Sequence, residues 1–192
     1  MATTLQELVV KNRSYRRFHE SHAVSRETLV ELVGLARYCA SAANRQPLRY
    51  ILSADPKTND LIFPCLTWAA YLKDWPGPAP GERPAAYIIM LIDQNITKDW
   101  WCDDGIAAQT ILLGAVERGL GGCMLGAIDR ERLRKALNIP EHLLIRLVIA
   151  IGKPAEKVVV DDLEPGGDIK YWRDENGVHH VPKRKLEELI IQ

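Results

Sequence analysis

Two rhythms of apolar and polar positions run along this chain. At helical spacing, Leu29, Leu32, Val33, Ala36 and Cys39 form one stripe, and Ser25 stands where a cap is needed. Ahead of them, Thr4 and Glu7 have the spacing of a capping box for a short apolar helix ending near Asn12. RYILSA (49–54) reads as a strand. Asp55-Pro56 opens a further helix, expected to run on into the aromatic segment TWAAYLKDW (67–75). The proline- and glycine-rich stretch 74–84 is a loop. AAYIIMLID (85–93) is continuously apolar, which predicts a strand buried on both faces. DGIAAQTILLGAVER (104–118) is apolar almost all round, so its helix is expected to lie centrally or against a partner subunit, with Gly119 just past its end. GGCML (121–125) and LLIRLVIAIG (143–152) read as strands. Between them Asp129 caps a helix over 130–139 that Pro140 stops. Residues 169–183, IKYWR–DENG–VHHVPK, have the form of a hairpin, with Asn176-Gly177 supplying the positive φ angles of its turn. KRKLEELI (183–190) is a last short helix or an extended arm. The class is α/β or α+β. Alternation is too sparse for a TIM barrel, and no strand leads into the glycine-rich turn of a doubly wound fold.

Length adds one bound: 192 residues can bury one sizeable core, so residues 1–192 are expected to form a single domain, with 168–192 as an atypical C-terminal hairpin and arm. Apolar content of 47% and charged content of 26% are ordinary globular values. The 25 basic and 25 acidic residues cancel, which supports neither nucleic acid nor an anionic membrane as partner. No window approaches 18 uncharged apolar residues, and the N-terminus lacks the layout of a signal peptide. A cytoplasmic protein is expected. Cys39, Cys65, Cys102 and Cys123 are far apart in apolar neighbourhoods and read as reduced, mostly buried thiols.

Three segments carry candidate chemistry. RSYRRF (13–18) follows the first helix, and Arg13, Ser14 and Arg16 within it make a plausible phosphate clamp, because guanidinium forks bind phosphate through short charge-assisted bonds. In an extended segment Ser14 and Arg16 point to the same side. Read alone, it is equally a solvated basic turn. SAANRQP (41–47) joins small residues, which let a ligand approach the backbone, to the amides of Asn44 and Gln46, with Pro47 fixing the loop. A plain helix-to-strand connection would look similar. GLGGCMLGA (119–127) lacks the spacing of a dinucleotide fingerprint, yet its glycines would bring backbone N–H groups near a flat ring.

In this order and spacing, RSYRRF, SAANRQP and DDGIAAQTILLGAVERGLGGCMLG resemble the nitroreductase family of FMN-dependent NAD(P)H oxidoreductases. The resemblance implies an α+β fold with a central, mainly antiparallel sheet flanked by helices, in an intertwined homodimer with FMN at the subunit interface. It implies that Arg13, Ser14 and Arg16 hold the phosphate and ribityl region. Ser41, Ala43, Asn44 and Gln46 would lie along the ribityl chain and ring edge, some facing the partner's FMN. Leu125, Gly126 and Ala127 would run beside the flavin ring. The reaction implied is ping-pong hydride transfer from NADH or NADPH through FMN to a nitroaromatic, quinone or similar electron acceptor. The flavin would carry the chemistry, so no protein nucleophile is required. The chain departs from the family in having Leu48 where a tryptophan is common, Gly126 where some members carry an acid, and an uncommon ending beyond Gly167. Lys183 and Arg184 would supply the basic phosphate contact expected there.

Trp68, Tyr71 and Lys73, with Trp75, are candidates for the substrate face, although spacing suits Trp68 and Tyr71 equally to a helical core position. Trp100-Trp101 reads as interface or core. His19 with His22, and the pair His179-His180, invite a metal reading, but adjacent histidines on a strand face opposite ways, so no metal is expected. Rival readings are a non-catalytic FMN-binding sensor or storage protein, and a specialised relative carrying out reductive dehalogenation or flavin breakdown.

Overall fold

In a computed structural model, residues 3–191 are described. Four strands, β1 (Leu48–Ser53), β2 (Ala86–Asp93), β3 (Gly121–Leu125) and β4 (Leu143–Gly152), form one sheet in the order β1-β2-β4-β3, antiparallel at every pair. β2 is the inner strand that the unbroken apolar run predicts: residues 86–92 are all buried. Strand alternation divides them between two cores. Ile88 and Met90 meet Leu29 and Leu32 of α2 (Arg26–Ala36) and Ala108, Ile111 and Ala115 of α4 (Asp103–Glu117). Tyr87, Ile89 and Leu91 face Ile62, Cys65, Trp68 and Leu133, the last from α5 (Arg130–Leu137). Each fully buried side chain of this size contributes about 1.5–3 kcal/mol, so the two cores fix the sheet between its helices.

Local signals place most helix ends. Thr4 and Glu7 close the capping box of α1 (Leu5–Lys11), and Ser25 and Asp129 accept from backbone N–H groups at the starts of α2 and α5. Gly119 follows α4 at φ 70°, as a C′ glycine does. α5 stops sooner than Pro140 requires, because Asn138 adopts the left-handed conformation. Among the described residues of α1 none is buried, and Leu5, Val9 and Val10 are exposed.

Two expectations fail in the middle of the chain. The third helix, α3 (Pro56–Ile62), does not run into the aromatic segment; it passes into a 3-10 turn over Phe63–Cys65 and ends. Pro64 is the cause, since it has no N–H to give and crowds the preceding turn. Trp68 and Tyr71 therefore do not share a helical face. Trp68 turns into the core, and Tyr71 stays exposed. The thiols are not mostly buried: Cys65 and Cys123 are, but Cys39 is half-buried and Cys102, ahead of α4, is exposed. Trp101 is largely exposed with φ 49°, which excludes the core but not an interface.

Beyond the main sheet, β5 (Val158–Leu163), β6 (Trp172–Arg173) and β7 (His179–Arg184) form a second one in the order β5-β7-β6. β6 and β7 are the expected hairpin. Its turn needs a positive φ only at Gly177 (77°), not at Asn176, because the Asp174 carbonyl accepts from Gly177 N–H and the Asp174 carboxylate from Val178 N–H. The parallel pairing of β5 with β7 has no local signature in the sequence. His179 and His180 do face opposite ways: His179 is buried, while His180 stacks on Trp172 and pairs with Asp161 at 2.9 Å. A short 3-10 turn, Leu186–Glu188, follows β7.

Candidate functional site

After α1 the chain runs alongside β3. Ser14 and Gly122 form a parallel bridge, and Tyr15 N–H donates to Gly122 O at 3.0 Å. Gly121 permits this approach, since a Cβ there would lie 2.6 Å from the Tyr15 ring, and Gly122 fits β3 against its neighbours, where a Cβ would lie 2.3 Å from Ala150 O and 2.7 Å from the Leu112 side chain. The segment is held from the other side by Glu156, whose carboxylate accepts from Arg16 N–H and Arg17 N–H and from Arg173 Nη2 at 3.0 Å. Arg17 turns away to pair with Glu82.

Between this segment and β7 lies a cleft of about 300 Å³ lined by Asn12, Arg13, Ser14, Arg16, Tyr171 and, from alternate positions of β7, His179, Val181 and Lys183. Three of those side chains are cations, and no carboxylate is among the described residues lining it. Arg13 is partly engaged, donating to Asn12 O at 2.7 Å and Val9 O at 2.9 Å, where it caps α1. Arg16 is held by uncharged groups: its guanidinium sits 4.8 Å over the Tyr171 ring, and Nη1 lies 3.2 Å from His179 Nε2 and 3.3 Å from Ser14 O. Burial, followed by the charges of Arg16, Arg173 and His180, pushes the His179 imidazole down to about 4, so the ring is neutral near neutral pH. Its Nδ1 is buried with no partner among the described residues. Alternation sends Arg184 the other way, to Glu188 at 3.4 Å. Of the two basic residues expected to reach a phosphate, the structure brings only Lys183 to the cleft.

The segment 41–46 forms a separate feature. A 3-10 turn over Ala42–Asn44 precedes Gln46, and Ala43, Asn44 and Gln46 all have φ near +50°. Such backbone is costly for residues other than glycine, by about 1–3 kcal/mol each, and needs support. Asp103, buried at the start of α4, supplies it by accepting from Ser41 Oγ at 2.6 Å and Ala42 N–H at 3.0 Å. Ser41 Oγ in turn accepts from Gln46 N–H at 2.9 Å, so this hydroxyl is occupied in shaping the loop. Gln46 Nε2 donates to Asn44 Oδ1 at 3.1 Å. Ser41, Gln46 and Asp103 line a second cleft of about 290 Å³ with Cys39, Leu48 and Tyr50, whose phenol burial pushes up to about 12. Within one chain the two clefts share no lining residue.

Leu125 ends β3 and is buried, while Gly126 and Ala127 after it are exposed. Among the described residues a Cβ on Gly126 would meet only Leu147, at 3.9 Å, so the space above this backbone is open. Trp68 and Lys73 line a third cleft with Trp75, and Tyr71 instead packs on Tyr171 with ring centroids 4.9 Å apart. The sequence assigns no role to Asp103, Glu156 or Tyr171, and it offers His179 only as half of a histidine pair. Asp103 has a signal, an acid heading an otherwise apolar helix. His179 stands on β7, whose parallel pairing with β5 is non-local, and Glu156 and Tyr171 lie just ahead of β5 and β6.

The chain belongs to the nitroreductase family, which it matches over residues 9–153. A protein of Methanothermobacter thermautotrophicus is 30% identical over 161 residues, 80% of each chain. A solved structure from Bacteroides thetaiotaomicron superposes with a TM-score of 0.66 at 25% identity, covering 82% of this chain and 90% of that one. Both carry the name "Putative NADH dehydrogenase/NAD(P)H nitroreductase". An FMN-dependent nitroreductase of Clostridium difficile has the same fold, with a TM-score of 0.63 at 24% identity over 78% of this chain and 87% of that one. The family match stops before β5, so the second sheet, with Tyr171, His179 and Lys183, lies beyond it.

Proposed function

We propose that this member of the nitroreductase family is an FMN-dependent NAD(P)H oxidoreductase that reduces a nitroaromatic, quinone or similar acceptor, with donor and acceptor using the site in turn. The observation that carries this reading is the cleft in which Arg13, Ser14, Arg16 and Lys183 converge with no carboxylate among the described lining residues. That donor set suits the phosphate of FMN, because charge-assisted bonds to a dianion are the strongest such groups make. Lys183 adds a point charge where Arg16 offers a fork. FMN held by Arg13, Ser14, Arg16 and Lys183 would supply two-electron chemistry between the nicotinamide and the acceptor.

The chain's own residues bind and orient. Gly126 and Ala127, exposed after β3, leave backbone open beside which a flat ring fits, and Asn44 and Gln46 offer amides in a loop that Asp103 keeps in one shape. That loop and the cationic cleft are separate within one chain, which suits a homodimer in which the loop faces the partner's cofactor. The exposed Leu5, Val9 and Val10 of α1 and Ile106 of α4 give such a dimer an apolar face. Residues 1–192 are read as one domain, with 168–192 closing the cleft. Among the described residues no helix is long and apolar enough to cross a membrane, and a cytoplasmic location fits the chemistry.

The test is the visible spectrum of the purified protein, before and after NADH or NADPH without oxygen. A yellow protein that bleaches supports the oxidoreductase. One that stays yellow points to flavin sensing or storage, and one that takes up no added FMN overturns the reading.

A further inference from the structure

Four arginines outside the cleft are matched with carboxylates, Arg17 with Glu82, Arg173 with Glu156, Arg146 with Asp104, and Arg118 with Glu31, while Arg130 and Arg132 donate to backbone carbonyls. Arg16 makes no ion pair among the described residues. It rests instead on the face of Tyr171, the carbonyl of Ser14 and the ring nitrogen of His179. A guanidinium fixed by neutral partners keeps its whole charge for a ligand, whereas a carboxylate in the same place would cancel it.

We propose that His179 is a positioning residue for Arg16: an imidazole acceptor, contributed by the sheet beyond the family-matched stretch, that holds the guanidinium toward the cleft without neutralising it. A guanidinium can only donate, so Nε2 must accept, and the ring carries its proton on Nδ1. His179 is 1% exposed, which leaves water no share in that contact. β7 pairing sets its direction: His179 stands opposite Arg173 on one side and Val158 on the other, on the same face as Val181 and Lys183. Tyr171 packs against both partners, 5.2 Å from the His179 ring and 4.8 Å from Arg16 Cζ.

The inference rests on reading the cleft as a phosphate site, and its test separates the two. FMN and riboflavin, which differ by the phosphate, are titrated into flavin-free wild type, His179→Gln and His179→Met. Gln and Met are similar in length, but Gln offers a guanidinium a carbonyl oxygen where Met offers only a weakly accepting thioether. Expected is an FMN affinity about tenfold weaker in His179→Met, with riboflavin unchanged, and His179→Gln within about threefold of wild type. Equal FMN affinity in all three, or equal losses for FMN and riboflavin in His179→Met, overturns the positioning role. A wild type that binds no FMN overturns the functional reading instead. Nitrogen-15 histidine spectra of the unaltered protein decide the contact without any variant: a proton on Nδ1 alone at neutral pH supports it, and a proton on Nε2 overturns it.

Discussion

Asp103 holds Ser41: the carboxylate of one, buried at the head of α4, accepts from the hydroxyl of the other at 2.6 Å, and the same hydroxyl accepts from Gln46 N–H. Three residues with positive φ lie between or at the ends of these bonds, so one buried acid maintains a loop that its own residues disfavour. Asp103→Asn keeps the shape but loses the charge-assisted bonds. It should destabilise the protein by about 1–3 kcal/mol, read as a fall in the urea midpoint with an unchanged slope.

Arg16→Ala should weaken FMN retention by one to two orders of magnitude, on the order of the 1.5–3 kcal/mol of a hydrogen bond to a charged group. Arg132→Ala is the control, since Arg132 is exposed on α5 and donates to Pro64 O at 3.1 Å. Equal retention by the two variants in dialysis would sink the phosphate assignment.

Neighbouring cations on β7 should behave differently. Lys183 lines the cleft and Arg184 pairs with Glu188, so Lys183→Ala should cost about tenfold in FMN affinity, and Arg184→Ala less than about twofold. Fluorescence titration of both variants checks the strand register as much as the site.

Gly122→Ala places a methyl group 2.3 Å from a backbone oxygen that belongs to the neighbouring strand. Neither strand can move without disturbing a core, so a loss of more than about 2 kcal/mol is expected. A thermal midpoint within a degree or two of wild type would mean that β3 and β4 are less tightly apposed than described.

Acid should weaken the fold through His179. Its folded value is depressed to about 4 from 6.5, so between those limits the unfolded chain binds the proton more readily than the folded one. Stability from this group is complete above pH 6.5 and is lost as pH falls toward 4, with a slope of up to about 1.4 kcal/mol per pH unit. The groups behind the shift are burial first, then Arg16, Arg173 and His180, while Lys183 lies on the same face and Tyr171 packs on the ring. Urea midpoints at pH 7 and pH 5 should converge in His179→Gln relative to wild type.

Legibility in the sequence follows the range of the interactions. β2, α4 and the caps at Thr4, Ser25 and Asp129 depend on near neighbours, and the apolar pattern announces them. The aromatic segment after Pro64 misleads, because a spacing of three suggests a helix that one missing N–H prevents. At the site, RSYRRF and SAANRQP stand out as segments, yet nothing in them says that Ser41's hydroxyl is occupied by Asp103 or that Arg17 belongs to Glu82. The dipeptide Lys183-Arg184 looks like one basic patch until strand pairing separates its members. Glu156 has no signal at all, and His179 only that of a histidine pair, since their meaning comes from partners far away in the chain.

That distance has a kinetic side. Glu156 meets Arg16 across 140 positions, and His179 meets it across 163. Contacts closing such long loops are entropically deferred, whereas helices and the antiparallel pairs of the main sheet gain from shorter closures. During refolding from urea, the cationic cleft should be among the last features to assemble. Flavin uptake should trail the recovery of the helical circular dichroism signal, and the interval between the two would time the docking of the second sheet.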